Sequence, residues 1–147
     1  MTDEQLDEMG PIDYVVLEWP GEQPDGSVAP LILDLVDRGI IRILDVAFLA
    51  KDQDGSTATI SLDELAPAEF SDFAGASSGL LGHDDLEDAA SALNPGTSAA
   101  VLVWENRWAA PVAVALRRSG GQLVASGRIP VQAILASLEA VEAEATN

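Results

Sequence analysis

Val15-Val16-Leu17-Glu18-Trp19 is an apolar run of strand length that ends in a tryptophan, and Ala100-Val101-Leu102-Val103-Trp104 repeats that pattern later in the chain. Each run precedes an Ala-Pro pair that opens a helical pattern, Ala29-Pro30 and Ala110-Pro111, and the two pairs lie 81 positions apart. The helical patterns end at Gly39 and Gly120, which have the same separation and suit a helix exit. The sequence therefore predicts one strand–helix unit that occurs twice.

Periodicity extends each unit into a β-α-β half. The predicted elements of the first half are a strand at 12–19, a helix at 28–39, a central strand at 40–50 and a hairpin strand at 57–62. Those of the second half are a strand at 98–104, a helix at 108–118 and a strand at 122–127. A short helix with Asp84 and Glu87 as its capping pair lies between the halves, after an irregular stretch at 63–82. A last helix starts at Pro130, with one apolar stripe: Val131, Ile134, Leu135, Leu138 and Val141.

Two such halves, an added hairpin and a C-terminal helix predict an α/β (α+β) chain, built as a ferredoxin-like two-layer sandwich. A small doubly wound sheet is the alternative. The expected division is an acidic flexible arm at 1–10, a single ferredoxin-like domain at 11–140 and a frayed tail at 141–147.

Both faces of the predicted central strands are apolar. One face holds Val15, Leu17, Trp19, Ala100, Leu102 and Trp104, and the other holds Tyr14, Val16, Ala99, Val101 and Val103. In the strand at 40–50, alternation places Ile41, Ile43, Ala47 and Leu49 on one face and Leu44, Val46 and Phe48 on the other. Because a large bare apolar patch is rare on a monomer, extra helical segments or a second copy of the chain should cover the second face.

The composition excludes several classes of function. A formal charge of −18, from 25 acidic and 7 basic residues, disfavours nucleic-acid binding, which needs a cationic surface. A surface with this charge could instead bind a basic protein partner. The acidic residues are spread over the whole chain, however, and their contribution to solubility explains such a distribution. No apolar run approaches the roughly 20 residues that span a bilayer, and the acidic N-terminus is unlike a secretory signal, so we expect a cytoplasmic protein with no integral membrane segment. The chain lacks cysteine, which excludes thiolate metal sites and disulfides.

Three short motifs are better explained by structure than by chemistry. Gly75-Ala76-Ser77-Ser78-Gly79 matches the G-x-S-x-G pattern of hydrolases, but no predicted strand precedes it and the only histidine, His83, follows too closely. His83-Asp84-Asp85 is typical of a helix start rather than a metal site. Asp52-Gln53-Asp54-Gly55 lacks the spacing of a calcium loop and predicts a turn. We expect no catalytic residues, no metal and no cofactor.

The stretch Trp104-Glu105-Asn106-Arg107-Trp108 holds the best candidates for binding or for a subunit interface, together with Trp19. It lies where a strand becomes a helix, and open α/β sheets bind ligands beyond the carboxyl ends of their strands. Arg107 could bind a carboxylate and stack on its aromatic neighbours. In the alternative interpretation Asn106 caps the helix, Trp104 belongs to the core and Glu105 forms a solvated pair with Arg107.

Three segments carry a family resemblance. They are Gly10-Pro11-Ile12-Asp13-Tyr14-Val15-Val16-Leu17-Glu18, Asp37-Arg38-Gly39-Ile40-Ile41-Arg42-Ile43-Leu44-Asp45 and Pro95-Gly96-Thr97-Ser98-Ala99-Ala100-Val101-Leu102-Val103-Trp104-Glu105. Over residues 10–138 the chain resembles a bacterial family known only as domain-of-unknown-function family 6325. It is more distantly similar to a broader membrane-associated group with an apolar Gly-rich segment between its halves; the corresponding residues 74–82 are too few to span a bilayer. The resemblance implies a fold and no activity.

These observations predict a non-enzymatic protein that homo-oligomerises and serves as an assembly or interaction module. The alternative is a small-molecule-binding protein or enzyme, with a pocket between the open sheet face and the loop at 104–108.

Overall fold

The computed structural model describes residues 8–65, 68–73 and 75–145. Its strands are β1 (Ile12–Pro20), β2 (Ile41–Lys51), β3 (Thr57–Ile60) and β4 (Thr97–Asn106). Its α-helices are α1 (Ala29–Asp37), α2 (His83–Ser91), α3 (Ala110–Arg118) and α4 (Val131–Ala145). Short 3-10 helices lie at Gly26–Val28, Leu62–Glu64, Ala68–Phe73 and Arg107–Ala109.

The described strands form one sheet in the order β1-β4-β2-β3, and every neighbouring pair is antiparallel. This arrangement confirms the α+β class and the predicted β2–β3 hairpin. The register pairs Ile12 with Glu105 at one end of β1 and Trp19 with Ser98 near the other. β4 is therefore a central strand with a neighbour on each side, and β1 lies at an edge.

The strand predicted at residues 122–127 is absent, because residues 121–130 form neither helix nor strand and nearly all of them are exposed. An apolar pattern of this length cannot hold an extended strand without a neighbour to pair with. The prediction is thus wrong for the single chain, and the second β-α-β half is incomplete. The ferredoxin-like arrangement consequently remains a prediction.

The alternation predicted for β1 and β4 is confirmed. One core contains Ala100 and Leu102 of β4 with Val15, Leu17, Trp19 and Trp104 packed against it, and Phe70 and Phe73 of the 3-10 helix Ala68–Phe73 belong to it as well. The opposite core contains Ala99 and Val101 with Ala89, Ala90 and Leu93 from α2 and its C-terminal end. The helical segments therefore cover much of both faces, although Ile12 and Tyr14, near the start of β1, are 51% and 49% exposed.

A β-bulge in β2 changes the predicted faces of that strand. The register pairs Ile43 with Trp104 and then Asp45 with Val103, which leaves Leu44 as the extra residue. Ile43 consequently packs with Val46 and Phe48 rather than with Ala47 and Leu49. The face predicted for Ile43 is wrong because simple alternation does not account for an inserted residue.

The helix ends are only partly as predicted. Asp25 Oδ1 accepts the Ser27 N–H at 2.8 Å before α1, and Gly39 follows that helix with a φ of 71°. At the start of α2 the Asp85 carboxylate accepts the Gly82 N–H at 2.9 Å, so the predicted capping pair of Asp84 and Glu87 is wrong. α4 continues to Ala145, beyond the residue where the tail is predicted to begin. Residues 1–7 of the predicted arm and 146–147 of the predicted tail lie outside the described residues, and the division into arm, domain and tail remains a prediction.

Candidate functional site

The buried side chain of Glu105, in β4, connects this strand to β2 and to the residues before β1. Its side chain is 7% exposed, and its carboxylate accepts the Gly10 N–H at 2.9 Å and the Arg42 Nε–H at 3.0 Å. A Cβ at Gly10 would overlap the carbonyl oxygen of Asn106, so the backbone approaches β4 too closely for any other residue. The predicted pairing of Glu105 with Arg107 is wrong, because Glu105 pairs with Arg42 of the neighbouring strand.

Asn106 binds β1 rather than capping a helix. Its Nδ2 donates to the Pro11 carbonyl at 3.2 Å and to the Asp13 carboxylate at 3.1 Å, and it makes no side-chain cap bond to the following 3-10 helix. The Trp108 indole N–H donates to Asn106 Oδ1 at 3.3 Å while the ring is 67% exposed. Asn106 and Trp108 therefore form a fixed surface beyond the end of β4.

Arg107 lies at the same end of the sheet, in an open cleft of about 650 Å3 that Arg42, Glu105 and Pro111 also line. The Arg107 side chain is exposed and has no hydrogen-bond or ion-pair partner in the described part of the chain. Two guanidinium groups in one cleft could bind a carboxylate or phosphate, but the buried carboxylate of Glu105 already neutralises Arg42.

The two remaining tryptophans lie apart. Trp104 pairs with Asp13 and Trp19 pairs with Ser98, so six residues of strand, roughly 20 Å, separate them. Trp19 is half-buried and meets Phe70 edge-on, with ring centroids 6.4 Å apart. The structure thus brings together residues 104–108 and leaves Trp19 at the far end of the core.

A second cavity, of about 780 Å3, runs along β1. Residues Asp13–Leu17 and Trp104 line one side, and residues Ser126–Arg128 line the other. Arg128 Nη2 donates to the Asp13 carboxylate at 3.3 Å. Motif analysis missed Asp13 and Arg128, and the only signal for them was the repeat, which placed a strand at 122–127.

The C-terminal part of the chain presents an apolar surface to solvent. Neither α3 nor α4 contains a buried residue. The predicted stripe of α4 exists, and each member is between 45% and 68% exposed: Val131, Ile134, Leu135, Leu138 and Val141. The segment between the helices adds Leu123 and Val124, exposed by 66% and 85%.

Charge is distributed unevenly between this part and the rest of the chain. Residues 107–130 contain four arginines and no acidic residue, whereas residues 1–106 contain 22 acidic and three basic residues. Oppositely charged surfaces attract one another and orient an encounter. A cationic segment thus follows a strongly anionic body.

The contacts of Asp45 show the structural role of the G-x-S-x-G motif. Its carboxylate is 2% exposed and accepts the N–H groups of Val46, Ser78 and Leu81 at 2.9, 2.8 and 2.7 Å. The Ser78 hydroxyl donates to the Leu44 carbonyl at 2.6 Å. A buried carboxylate therefore holds the motif as a loop against the bulge in β2, and a 3-10 helix rather than a strand precedes the motif.

The other motifs also have structural roles. Exposed His83 Nε2 lies 2.8 Å from the Glu87 carboxylate on the same helix. Asp52 and Asp54 form a turn in which Ser56 donates to both carboxylates. The Ser56 hydroxyl and N–H hold the pKa of Asp54 below its ordinary value of 3.8. In the described residues no group of three His, Asp or Glu side chains could hold a metal ion.

Tyr14 marks the exposed end of β1. Burial raises the pKa of its hydroxyl above the ordinary 10.0, and the negative charges of Asp85 and Asp88 raise it further. Both acids belong to α2, which covers this face of the sheet. The acidic start of α2 therefore lies close enough to act on the edge strand.

Comparison with known proteins gives one match. The model of the Family of unknown function (DUF6325) matches residues 8–147. No curated protein and no solved structure matches the chain. Among the described residues, no helix has the length and apolarity that crossing a membrane requires.

Proposed function

The chain belongs to this family of unknown function, and we propose that it is a non-enzymatic assembly module that associates with further copies of itself. The observation that carries this proposal is α4, a helix of 15 residues with an apolar stripe and no buried residue. A helix with one apolar face is stable in water when that face packs against something. No part of the chain that the structure describes covers this face of α4.

Association would supply the missing contact. Fully burying a Val, Leu or Ile side chain contributes about 1.5–3 kcal/mol, so covering the exposed halves of five such residues contributes several kcal/mol per chain. A stable interface buries about 1,600 Å2 in total, which a helix of this length can supply together with part of the segment before it. The charge distribution favours a copy of this chain as the partner, because each copy carries both a cationic segment and an anionic body.

Sedimentation velocity at micromolar concentration, combined with native mass spectrometry, tests the proposal. We expect the parent chain to have the mass of two or more copies. The double variant Leu135→Lys/Leu138→Lys should have the mass of one copy, because it places two charges inside the stripe. Gln132→Lys/Ala136→Lys adds the same charge to the opposite face of α4 and should associate like the parent. A parent chain with the mass of a single copy at these concentrations would refute the proposal.

The cleft at the end of β4 favours a second candidate function, the binding of a small carboxylate-bearing molecule. The Arg107 side chain has no hydrogen-bond or ion-pair partner in the described residues and faces a cavity of about 650 Å3, a size that suits a small ligand. Citrate is a suitable probe, and Trp108, which follows Arg107, reports its binding by fluorescence. Arg107→Ala should abolish a citrate response that Arg118→Ala, an exposed arginine outside the cleft, retains. If the parent chain gives no citrate response, this candidate is wrong.

A further inference from the structure

One side of β1 has no neighbouring strand among the described residues. The Asn106 N–H donates to the Pro11 carbonyl at 2.7 Å, and the Gly21 N–H donates to the Gly96 carbonyl at 3.0 Å. Because hydrogen-bonded positions alternate along an antiparallel strand, the odd-numbered residues of β1 bond to β4. The N–H and C=O groups of Ile12, Tyr14, Val16 and Glu18 consequently point toward the other side, where no strand lies among the described residues. An edge of this kind is a template for a further strand.

Residues 121–130 are here called the connector, and part of it lies close to this edge. Ser126–Arg128 line the same cavity as Asp13–Leu17, and Arg128 bonds to Asp13 at the start of β1. The connector makes no ladder with β1, yet its Gln-Leu-Val-Ala-Ser sequence at 122–126 contains an apolar run and is bounded by Gly121 and Gly127, as a short strand is. It therefore has the composition of a strand and lies near an edge that lacks one.

The first β-α-β unit shows how such a strand would be placed. There β2 follows α1 and pairs antiparallel with β4. The repeat makes β4 the counterpart of β1, since Trp104 follows Trp19 by 85 positions. It makes the connector the counterpart of β2, since the helices and the residues after them repeat at 81 positions and position 41 corresponds to position 122. The same relation would pair the connector antiparallel with the open edge of β1.

We propose that the open edge of β1 binds the connector of a second copy, so that two chains exchange this strand reciprocally. The inference rests on the proposed self-association and specifies its geometry. A reciprocal exchange forms a closed two-fold dimer in which both edges are filled at once. Main-chain hydrogen bonds would supply affinity, as in other cases of strand addition.

Two observations favour a second copy over the chain's own connector as the occupant. First, α3 and α4 contain no buried residue, so the part of the chain that carries the connector is weakly held by its own sheet. Exchange would also place the uncovered apolar stripe of α4 against the partner chain. Pairing of the connector with β1 of its own chain would not account for how that stripe is covered. Second, the cationic segment 107–130 complements an anionic body, and in a dimer this attraction offsets repulsion between two chains of charge −18.

The salt bridge between Arg128 and Asp13 in the single chain sets the expected register, because we expect the exchanged connector to make the same contact with the partner's β1. With Arg128 opposite Asp13 in an antiparallel pair, Ser126 lies opposite Val15 and Val124 opposite Leu17. These are non-hydrogen-bonded positions of the new ladder, where opposite Cα atoms are about 4.5 Å apart. Ala125 is then at a hydrogen-bonded position, with its N–H directed at β1.

The chain has no cysteine, so engineered disulfides report the pairing directly. Chains that carry Val15→Cys are mixed with chains that carry Ser126→Cys, unfolded, refolded together and oxidised under mild conditions. We expect a covalent heterodimer on a non-reducing gel, because the two positions meet the distance requirement of a disulfide. The control mixture, Val15→Cys with Gln122→Cys, is four residues out of register and should give little covalent product.

A pair of proline variants tests the same ladder without cysteine. Ala125→Pro removes an N–H that the proposal directs at β1 and should weaken association about tenfold or more. Ser126→Pro removes an N–H directed away from β1 and should change association much less. Both residues are exposed in the single chain, so neither change should alter its folding, which circular dichroism checks.

Taken together, the outcomes distinguish failure of strand exchange from failure of self-association. A parent chain of single-copy mass refutes both. An associated parent with no Val15–Ser126 heterodimer leaves self-association standing and refutes strand exchange. A disulfide that closes within one chain of the double variant Val15→Cys/Ser126→Cys, with none between mixed chains, shows that the chain's own connector fills the edge and also refutes the inference. Equal effects of the two proline variants would contradict the proposed register.

Discussion

Replacing Asp45 by alanine should destabilise the fold strongly. The Asp45 carboxylate is buried and accepts three N–H groups, one from its neighbour Val46 and two from Ser78 and Leu81, more than 30 positions along the chain. Removing it leaves these N–H groups without their acceptor and releases the loop at 77–81 from the bulge in β2.

The magnitude follows from the number and exposure of these bonds. A hydrogen bond to a charged group contributes about 1.5–3 kcal/mol, and an N–H left unsatisfied inside a protein costs about 1–3 kcal/mol. Ser78 is exposed and Leu81 half-buried, so water can reach their N–H groups once the loop moves, and each loss is at the lower end. The sum is about 3–5 kcal/mol for Asp45→Ala. Asp45→Asn, which keeps one acceptor oxygen, should cost less, about 1–3 kcal/mol.

Urea unfolding followed by tryptophan fluorescence measures these differences, and native-state hydrogen exchange shows whether the amides of Ser78 and Leu81 lose protection first. Asp63→Ala, an exposed acid in the 3-10 helix after β3, is the matched control and should stay within about 0.5 kcal/mol of the parent. If Asp45→Ala cost under about 1 kcal/mol, the three hydrogen bonds would not hold the loop, and the explanation of the G-x-S-x-G motif would be wrong.

Three further predictions concern single side chains. Tyr14 is the one tyrosine of the chain, so absorbance at alkaline pH reports its pKa, which should lie above 10.0 and fall in Asp85→Asn. Because the folded state holds this proton more tightly than the unfolded state, stability should decrease as the pH rises above 10.0, and a midpoint at or below that value would contradict the burial argument. Phe70→Ala removes a fully buried ring and should cost about 3–5 kcal/mol in urea unfolding; a cost under about 1 kcal/mol would show that this core can collapse around the gap. Carboxyl NMR should place the pKa of Asp54 below 3.8 and raise it in Ser56→Ala, whereas an unchanged value would mean that the Ser56 hydroxyl is not its partner.

The candidate site was only partly predictable. The position of residues 104–108 between a strand and a helix marks them as candidates. The structure places Trp104 and Asn106 at the end of β4 and Arg107 and Trp108 in the 3-10 helix that follows, rather than in a loop. The actual partner of Glu105 was not foreseen, because Arg42 lies 63 positions away and no local pattern connects the two. Asp13 and Arg128, separated by 115 positions, were missed for the same reason.

The sequence by itself determined most of the helices and strands and the faces of β1 and β4. Side chains alternate in a strand and recur every three to four residues in a helix, so the faces of β1 and β4, the β2–β3 hairpin and the stripe of α4 follow from local spacing alone. The tertiary structure alone decided the bulge at Leu44, the burial of Asp45 and the unpaired state of the connector. These depend on which distant backbone lies alongside, and a strand forms only where a neighbouring edge accepts its hydrogen bonds. In a single copy of this chain, Ser126–Arg128 of the connector line one cavity with β1 and do not pair with it.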